Sequence, residues 1–197
     1  MKLVLASKNQ KKLVEMNEIL SHLGIQVCSE AEAGVDVEVE ETGTTFEENS
    51  LLKARAVMEA SGMPAIADDS GLCVDALNGA PGVYSARYGG EGLDDVGRYR
   101  LLLENMRGQT PRTAKFVSVI TCCFPNGDVL SARGECPGTI AFAPMGEGGF
   151  GYDPVFFIPS LKKTFAQLSP EEKNAISHRG KALEAFQVKL EEYLKKN

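Results

Sequence analysis

The sequence predicts an α/β fold with a mixed, strongly twisted sheet and helices packed around it. Three observations predict it. Short apolar runs alternate with longer stretches whose apolar residues recur at helical spacing. Two helix starts carry their own capping signals. One segment reads as an antiparallel hairpin inside an otherwise strand-helix-strand order.

Residues 1–6, ending Leu3 Val4 Leu5 Ala6, read as a short buried strand. Leu13, Met16, Leu20 and Leu23 then follow a helical period until Gly24 stops it. A second strand is expected over 26–29, and the acidic stretch 30–44 as a loop or irregular strand. Thr45 with Glu48 three residues on makes a capping box, so a helix is expected over 46–61, ended by Gly62 and Pro64 and exposing Lys53 and Arg55. Residues 65–67 form a strand that runs into Asp68 and Asp69 at its end, and 72–77 continue in β structure before a Gly/Pro-rich turn. A helix over 94–106 precedes two strands, 115–124 and 129–135, on either side of Pro125 Asn126 Gly127 Asp128. After the glycine-rich segment 146–151 come a strand at 155–158 and a helix opening at Ser169 Pro170 Glu171 Glu172. Gly180 is expected to break the path before a last amphipathic helix carrying Leu183, Phe186, Leu190 and Leu194.

At 197 residues, with no repeat or linker, the chain reads as one domain. A formal net charge of -6 disfavours a nucleic-acid-binding module, which needs a basic surface to displace counterions. No run is long and apolar enough for a membrane span, and the amino terminus turns polar too early for a signal peptide. Five cysteines without a CxxC pair read as reduced core thiols of a cytoplasmic protein.

Four segments could carry chemistry. Ser7, Lys8, Asn9, Gln10, Lys11 and Lys12 lie between the first strand and the first helix, where unpaired amides and a mobile lysine favour a phosphate. The same residues also suit a plain helix cap with a lysine-rich face. Glu38, Glu40 and Glu41 with Asp68 and Asp69 offer the hard oxygens that Mg²⁺ uses, or else a solvated acidic loop and a turn. Neighbours on a strand face opposite sides, so Asp68 and Asp69 should have different roles. The segment 146–151 matches GxGxxG formally, but it leads through Pro154 into a strand, which excludes a dinucleotide fingerprint. Phe150 and Tyr152 there suit a flat ring, or a turn with core aromatics. Lys173 with Ser177, His178 and Arg179 could sit at a helix break, or be a capped helix start with a core histidine.

Taken together these segments resemble the inosine triphosphate pyrophosphatase family, also called dITP/XTP pyrophosphatases. The resemblance rests on Ser7-x-Asn9-x-x-Lys12, Glu41 before residues 45–53, residues 67–72, residues 149–154, and Ser177 His178 Arg179. The chain departs from the family pattern at Lys8 and Lys11, where many relatives carry glycine. The resemblance implies an elongated two-lobed fold with the active site in the cleft between lobes, in a homodimer. It implies hydrolysis of ITP, dITP or XTP to the monophosphate and pyrophosphate, with Mg²⁺ as cofactor. Ser7 to Lys12 and Lys53 would hold the triphosphate, Glu41 and Asp69 the Mg²⁺, and Asp69 would accept the proton of the attacking water. Ser70 would contact substrate, and Phe150, Gly151, Tyr152, Asp153, Lys173, His178 and Arg179 would form the base pocket. The alternatives are a Maf-type nucleotide pyrophosphatase, whose motifs are not seen, and an inactive nucleotide-binding protein.

Overall fold

The computed structural model describes residues 1–197. Strand β1 (Lys2–Leu5) leads into helix α1 (Gln10–Leu20), and β2 (Gln26–Cys28) follows. Gly24, in the left-handed region at φ 68°, makes the turn between them. The acidic stretch forms no regular element, but its valines alternate inward, Val35 and Val37 packing on a core while Asp36, Glu38 and Glu40 face water. Helix α2 (Phe46–Ser61) starts where the capping box placed it, the Thr45 side chain accepting the Glu48 amide.

Strand β3 (Ala65–Val74) runs unbroken through Asp68 and Asp69, so these carboxylates lie mid-strand and not at a strand end. Ser70 and Gly71 do not stop it, because neither leaves the extended backbone. Helix α3 (Asp95–Asn105) is capped by Asp94. Strands β4 (Thr113–Cys123) and β5 (Val129–Ile140) form the expected hairpin, closed where the Phe124 amide donates to the Asp128 carbonyl. β5 extends past Glu135 through Pro137. β6 (Phe156–Ile158), β7 (Lys163–Thr164), α4 (Pro170–Ile176) and α5 (His178–Lys196) complete the chain. The break before α5 falls at Ser177, whose ψ of 156° is extended, and not at Gly180, which lies in the first turn of α5.

The sheet order is β2-β1-β3-β4-β5-β6-β7. β1 pairs in parallel with β2 and β3, whereas β6 pairs antiparallel with β5 and β7, so the sheet is mixed. The chain divides into two compact units: 1–69, 118–134 and 178–197 in the first, 70–117 and 135–177 in the second. In the first, successive residues of β1 supply two cores. Leu3 and Leu5 pack with Met16, Leu20, Phe186 and Leu190 of α1 and α5, while Val4 packs with Ala54 and Val57 of α2. That is a sheet covered on both faces, as parallel pairing requires. The second unit has its own core, where the Phe116, Phe156 and Phe165 rings meet at 4.6–5.6 Å. All five cysteines are free thiols, four of them buried, and burial pushes those of Cys28, Cys122 and Cys123 up.

Candidate active site

In the first unit, β1 delivers the chain to the start of α1. Asn9 caps that helix, its Oδ1 accepting the Lys11 and Lys12 amides at 3.0 and 3.3 Å, and Ser7 Oγ accepts the Asn9 amide. The capping reading of this segment therefore holds, and the two amides are engaged. Gln10 and Lys11 are exposed, and Lys8 pairs at the surface with Asp36 and Glu38. Lys12 turns inward instead, its Nζ 3.2 Å from the Asp68 carbonyl and 3.6 Å from Asp68 Oδ1. Burial lowers its pKa, against the attraction of Asp68.

Asp68 and Asp69 face different partners, as the alternation of β3 requires. Asp68 Oδ2 accepts from Arg179 Nε at the start of α5. The same guanidinium gives its NH1 to both oxygens of Glu15, on α1, at 3.0 and 3.1 Å. Asp69 Oδ1 instead accepts from Lys53 Nζ at 3.0 Å, and Lys53, on α2, also meets Glu41 Oε1 at 2.8 Å and the Asp68 carbonyl at 3.1 Å. Burial works against the Lys53 charge, but Asp69 and Glu41 outweigh it and hold its pKa above the ordinary lysine value. Burial raises the pKa of Asp69, with Lys53 pulling it back, and Asp69 Oδ2 is buried with no hydrogen-bond partner. Three cations, Lys12, Lys53 and Arg179, thus face four carboxylates, Glu15, Glu41, Asp68 and Asp69. This connected cluster carries one net negative charge and a spare carboxylate oxygen.

In the second unit the glycine-rich segment wraps the Asp153 carboxylate. Asp153 Oδ2 accepts from Lys173 Nζ at 2.7 Å and from the Phe150 amide at 3.1 Å. Gly149, at φ 67°, passes so close that a Cβ there would overlap that carboxylate. The Lys173 ammonium lies 4.9 Å from the Phe150 ring centroid. Ser169 with Glu172 forms a capping box that starts α4 and sets Lys173 on it. The Gly151 amide donates to Asp95. The Tyr152 ring belongs to the second core and its hydroxyl donates to the Ser85 carbonyl at 2.6 Å, which fits the core reading of that aromatic. Ser70 is half-buried on β3.

The structure therefore joins Lys12, Lys53, Glu41, Asp69 and Arg179 in the first unit, and Phe150, Asp153 and Lys173 in the second. His178 is buried and belongs with Arg179 to the first unit, whereas Phe150, Asp153 and Lys173 belong to the second. Two participants were missed. Glu15 had a faint signal, lying three residues after Lys12 on the same helix. Gly134 had none: a Cβ on it would overlap the His178 carbonyl and the Ala182 amide, so its bareness lets β5 lie against the first turn of α5.

The model of the Ham1 family matches residues 3–189. A dITP/XTP pyrophosphatase of Desulforamulus reducens is 53% identical, over 93% of this chain and 92% of its own. One from Exiguobacterium sp. is 47% identical, over 99% and 100% respectively. The structure of a HAM1 protein from Coxiella burnetii aligns with a TM-score of 0.88 at 46% identity, over 98% of this chain and 99% of that one. A family model that matches almost the whole chain, and relatives alike over more than nine-tenths of it, place the chain in the Ham1 family.

Proposed function

We propose that this protein is a Mg²⁺-dependent pyrophosphatase of the cytoplasm that hydrolyses deaminated purine nucleoside triphosphates such as dITP and XTP to the monophosphate and pyrophosphate. The carrying observation is the buried cluster of Lys12, Lys53 and Arg179 with four carboxylates. The names borne by the relatives give the substrate class.

A cluster with a net negative charge repels a triphosphate, so it fits this substrate only with added positive charge. Asp69 Oδ2, buried and without a partner, is an oxygen suited to a cation. No group of three His, Cys, Asp or Glu side chains could hold a metal. Glu41 and Asp69 would be the two carboxylates, a number typical for Mg²⁺, which takes its other ligands from phosphate and water. When bound, that ion supplies Lewis-acid polarisation and charge neutralisation at the phosphates.

The chain's own residues do the rest. Lys12 and Lys53 draw the polyphosphate and neutralise charge on the departing pyrophosphate. Asp69 accepts a proton as water forms its bond to the α-phosphorus and the bond from that phosphorus to the bridging oxygen breaks. Arg179, held by Asp68 and Glu15, ties the start of α5 to β3 and α1. Phe150 offers a face for the purine, and Lys173, oriented by Asp153, a donor for an oxygen on its edge. Adenine presents an amino donor where hypoxanthine and xanthine present that oxygen, so the mismatch leaves donors unpaired.

A homodimer is part of the proposal. Phe142 is 85% exposed, with the Arg112 guanidinium 4.1 Å from its ring centroid, and such an aromatic is suited to burial by a partner. The deciding assay is pyrophosphate release from a panel of common and deaminated triphosphates, with Mg²⁺ and with chelator. XTP, dITP and ITP should turn over with Mg²⁺ alone; indifference to the base, or full activity in chelator, defeats the reading. Light scattering of wild type and Phe142→Ser tests the dimer.

A further inference from the structure

Lys53 Nζ has three oxygens around it within 3.1 Å: Glu41 Oε1, Asp69 Oδ1 and the Asp68 carbonyl. Two of the three belong to the carboxylates proposed above for Mg²⁺. The seat is a firm one, because Lys53 precedes fully buried Ala54 on α2 and its side chain is only 14% exposed. Yet the ammonium leaves Asp69 incompletely matched, since Oδ2 stays buried without a hydrogen bond. A structural ion pair would be expected to satisfy both oxygens of so buried a carboxylate.

A Mg²⁺ bound to the two oxygens that Lys53 holds, with bonds of about 2 Å, would lie no more than about 5 Å from the ammonium if Lys53 kept its place. At that range the two cations repel each other and compete for the same oxygens. Lysine, a point charge on a four-carbon stem, can leave without moving the helix that carries it.

The geometry points to Lys53 as a placeholder cation: it occupies the divalent-ion seat on Glu41 and Asp69 in the metal-free protein, and exchanges that seat for the triphosphate when metal and nucleotide arrive together. The exchange conserves charge pairing. The ammonium moves from carboxylate to phosphate, and the dication takes the carboxylates together with Asp69 Oδ2. The metal therefore binds weakly before nucleotide, and the two ligands bind with positive coupling. Lys12 shares the Asp68 carbonyl at 3.2 Å, but the carboxylate it pairs with, at 3.6 Å, is that of Asp68 and neither of the two proposed for the metal.

The test is titration of the nucleotide-free protein with Mn²⁺, followed by electron paramagnetic resonance of the free ion. Lys53→Met and Lys53→Gln should each tighten Mn²⁺ binding about ten- to a hundredfold over wild type. Glutamine keeps a hydrogen-bonding head, so it covers the case in which methionine does not fold. Lys53→Arg, which keeps the charge, should stay as weak as wild type. Adding Glu41→Gln to Lys53→Gln should remove the gain. Lys12→Met deletes an equal charge nearby and should tighten binding far less. The inference is overturned if neither neutral Lys53 variant binds Mn²⁺ more tightly, or if Lys12→Met gains as much. Pyrophosphate release by the wild type tests the enzymatic reading separately, so the two can fail independently.

Discussion

Asp68 and Asp69 are chain neighbours that answer to different cations: Asp68 takes the guanidinium of Arg179, and Asp69 the ammonium of Lys53. One lies behind the other's strand face, and the consequences of losing them should differ in kind. Asp69→Asn should cut turnover of XTP at least about a hundredfold, the scale of a lost general base, with melting temperature and nucleotide binding kept. Retention of a tenth or so of the activity would remove Asp69 from the chemistry. Asp68→Asn should instead cost about 3 kcal/mol of stability, because it strips a partner from an Arg179 only 2% exposed. Denaturant unfolding of both variants separates the two roles.

Gly134 is the point where β5 lies against the first turn of α5. Gly134→Ala should destabilise by about 2 kcal/mol, since the added methyl overlaps main-chain atoms that have nowhere to swing. The same turn carries His178 and Arg179, so kcat/KM for XTP should fall with it. A variant with unchanged melting temperature and kinetics would show that the turn yields freely.

The capping carboxylate of α4 gives a pH signature. Glu172 accepts the Ser169 amide at 3.0 Å, and that backbone bond, with the Ser169 side chain and Lys163 adding to it, holds its pKa below the usual 4.5. A depressed folded-state pKa contributes stability above the unfolded value, lost as pH falls through the folded one. Wild type should therefore melt above Glu172→Gln at pH 7, and the gap should close as the pH falls below 4.5 and through the lower folded-state value. A gap that persists into acid would assign the effect to shape and not to charge.

Phe150, Asp153 and Lys173 can be separated from their scaffold. Lys173→Met should narrow the preference for XTP over ATP, chiefly by slowing XTP. Tyr152→Phe should cost about 1 kcal/mol for the lost bond to Ser85 and leave that preference intact. Competition kinetics on mixed substrates reads both, and a Tyr152→Phe effect on the ratio would return that side chain to the pocket.

The parts of the fold that could be read in advance were those decided locally. Thr45 and Ser169 bond to amides three residues on, so the starts of α2 and α4 were legible from residue type and spacing. The hairpin at 124–128 was equally local. Glycine is the commoner interruption, which points to Gly180, whereas the backbone turns extended at the buried Ser177. The Glu15–Arg179 pair spans 164 residues of sequence, and only the packing of α1 and α5 on one face of the sheet brings it together. Gly134 belongs to the same class, since its small size answers to a helix that begins 44 residues later. The motif residues themselves could be found; which cation each carboxylate serves could not, because that depends on which face of β3 each occupies.

The chain passes between its two units four times, at 69/70, 117/118, 134/135 and 177/178. Three of these passages fall inside β3, β4 and β5. Neither unit is therefore a module that recombination could lift out: any cut that isolates one severs strands in mid-ladder and leaves raw edges open to aggregation. Circular permutation meets no such obstacle at Asn126–Gly127, where the hairpin tip is exposed and breaks no strand. The architecture thus tolerates new termini but not subdivision, and its two units must be inherited, and folded, as one.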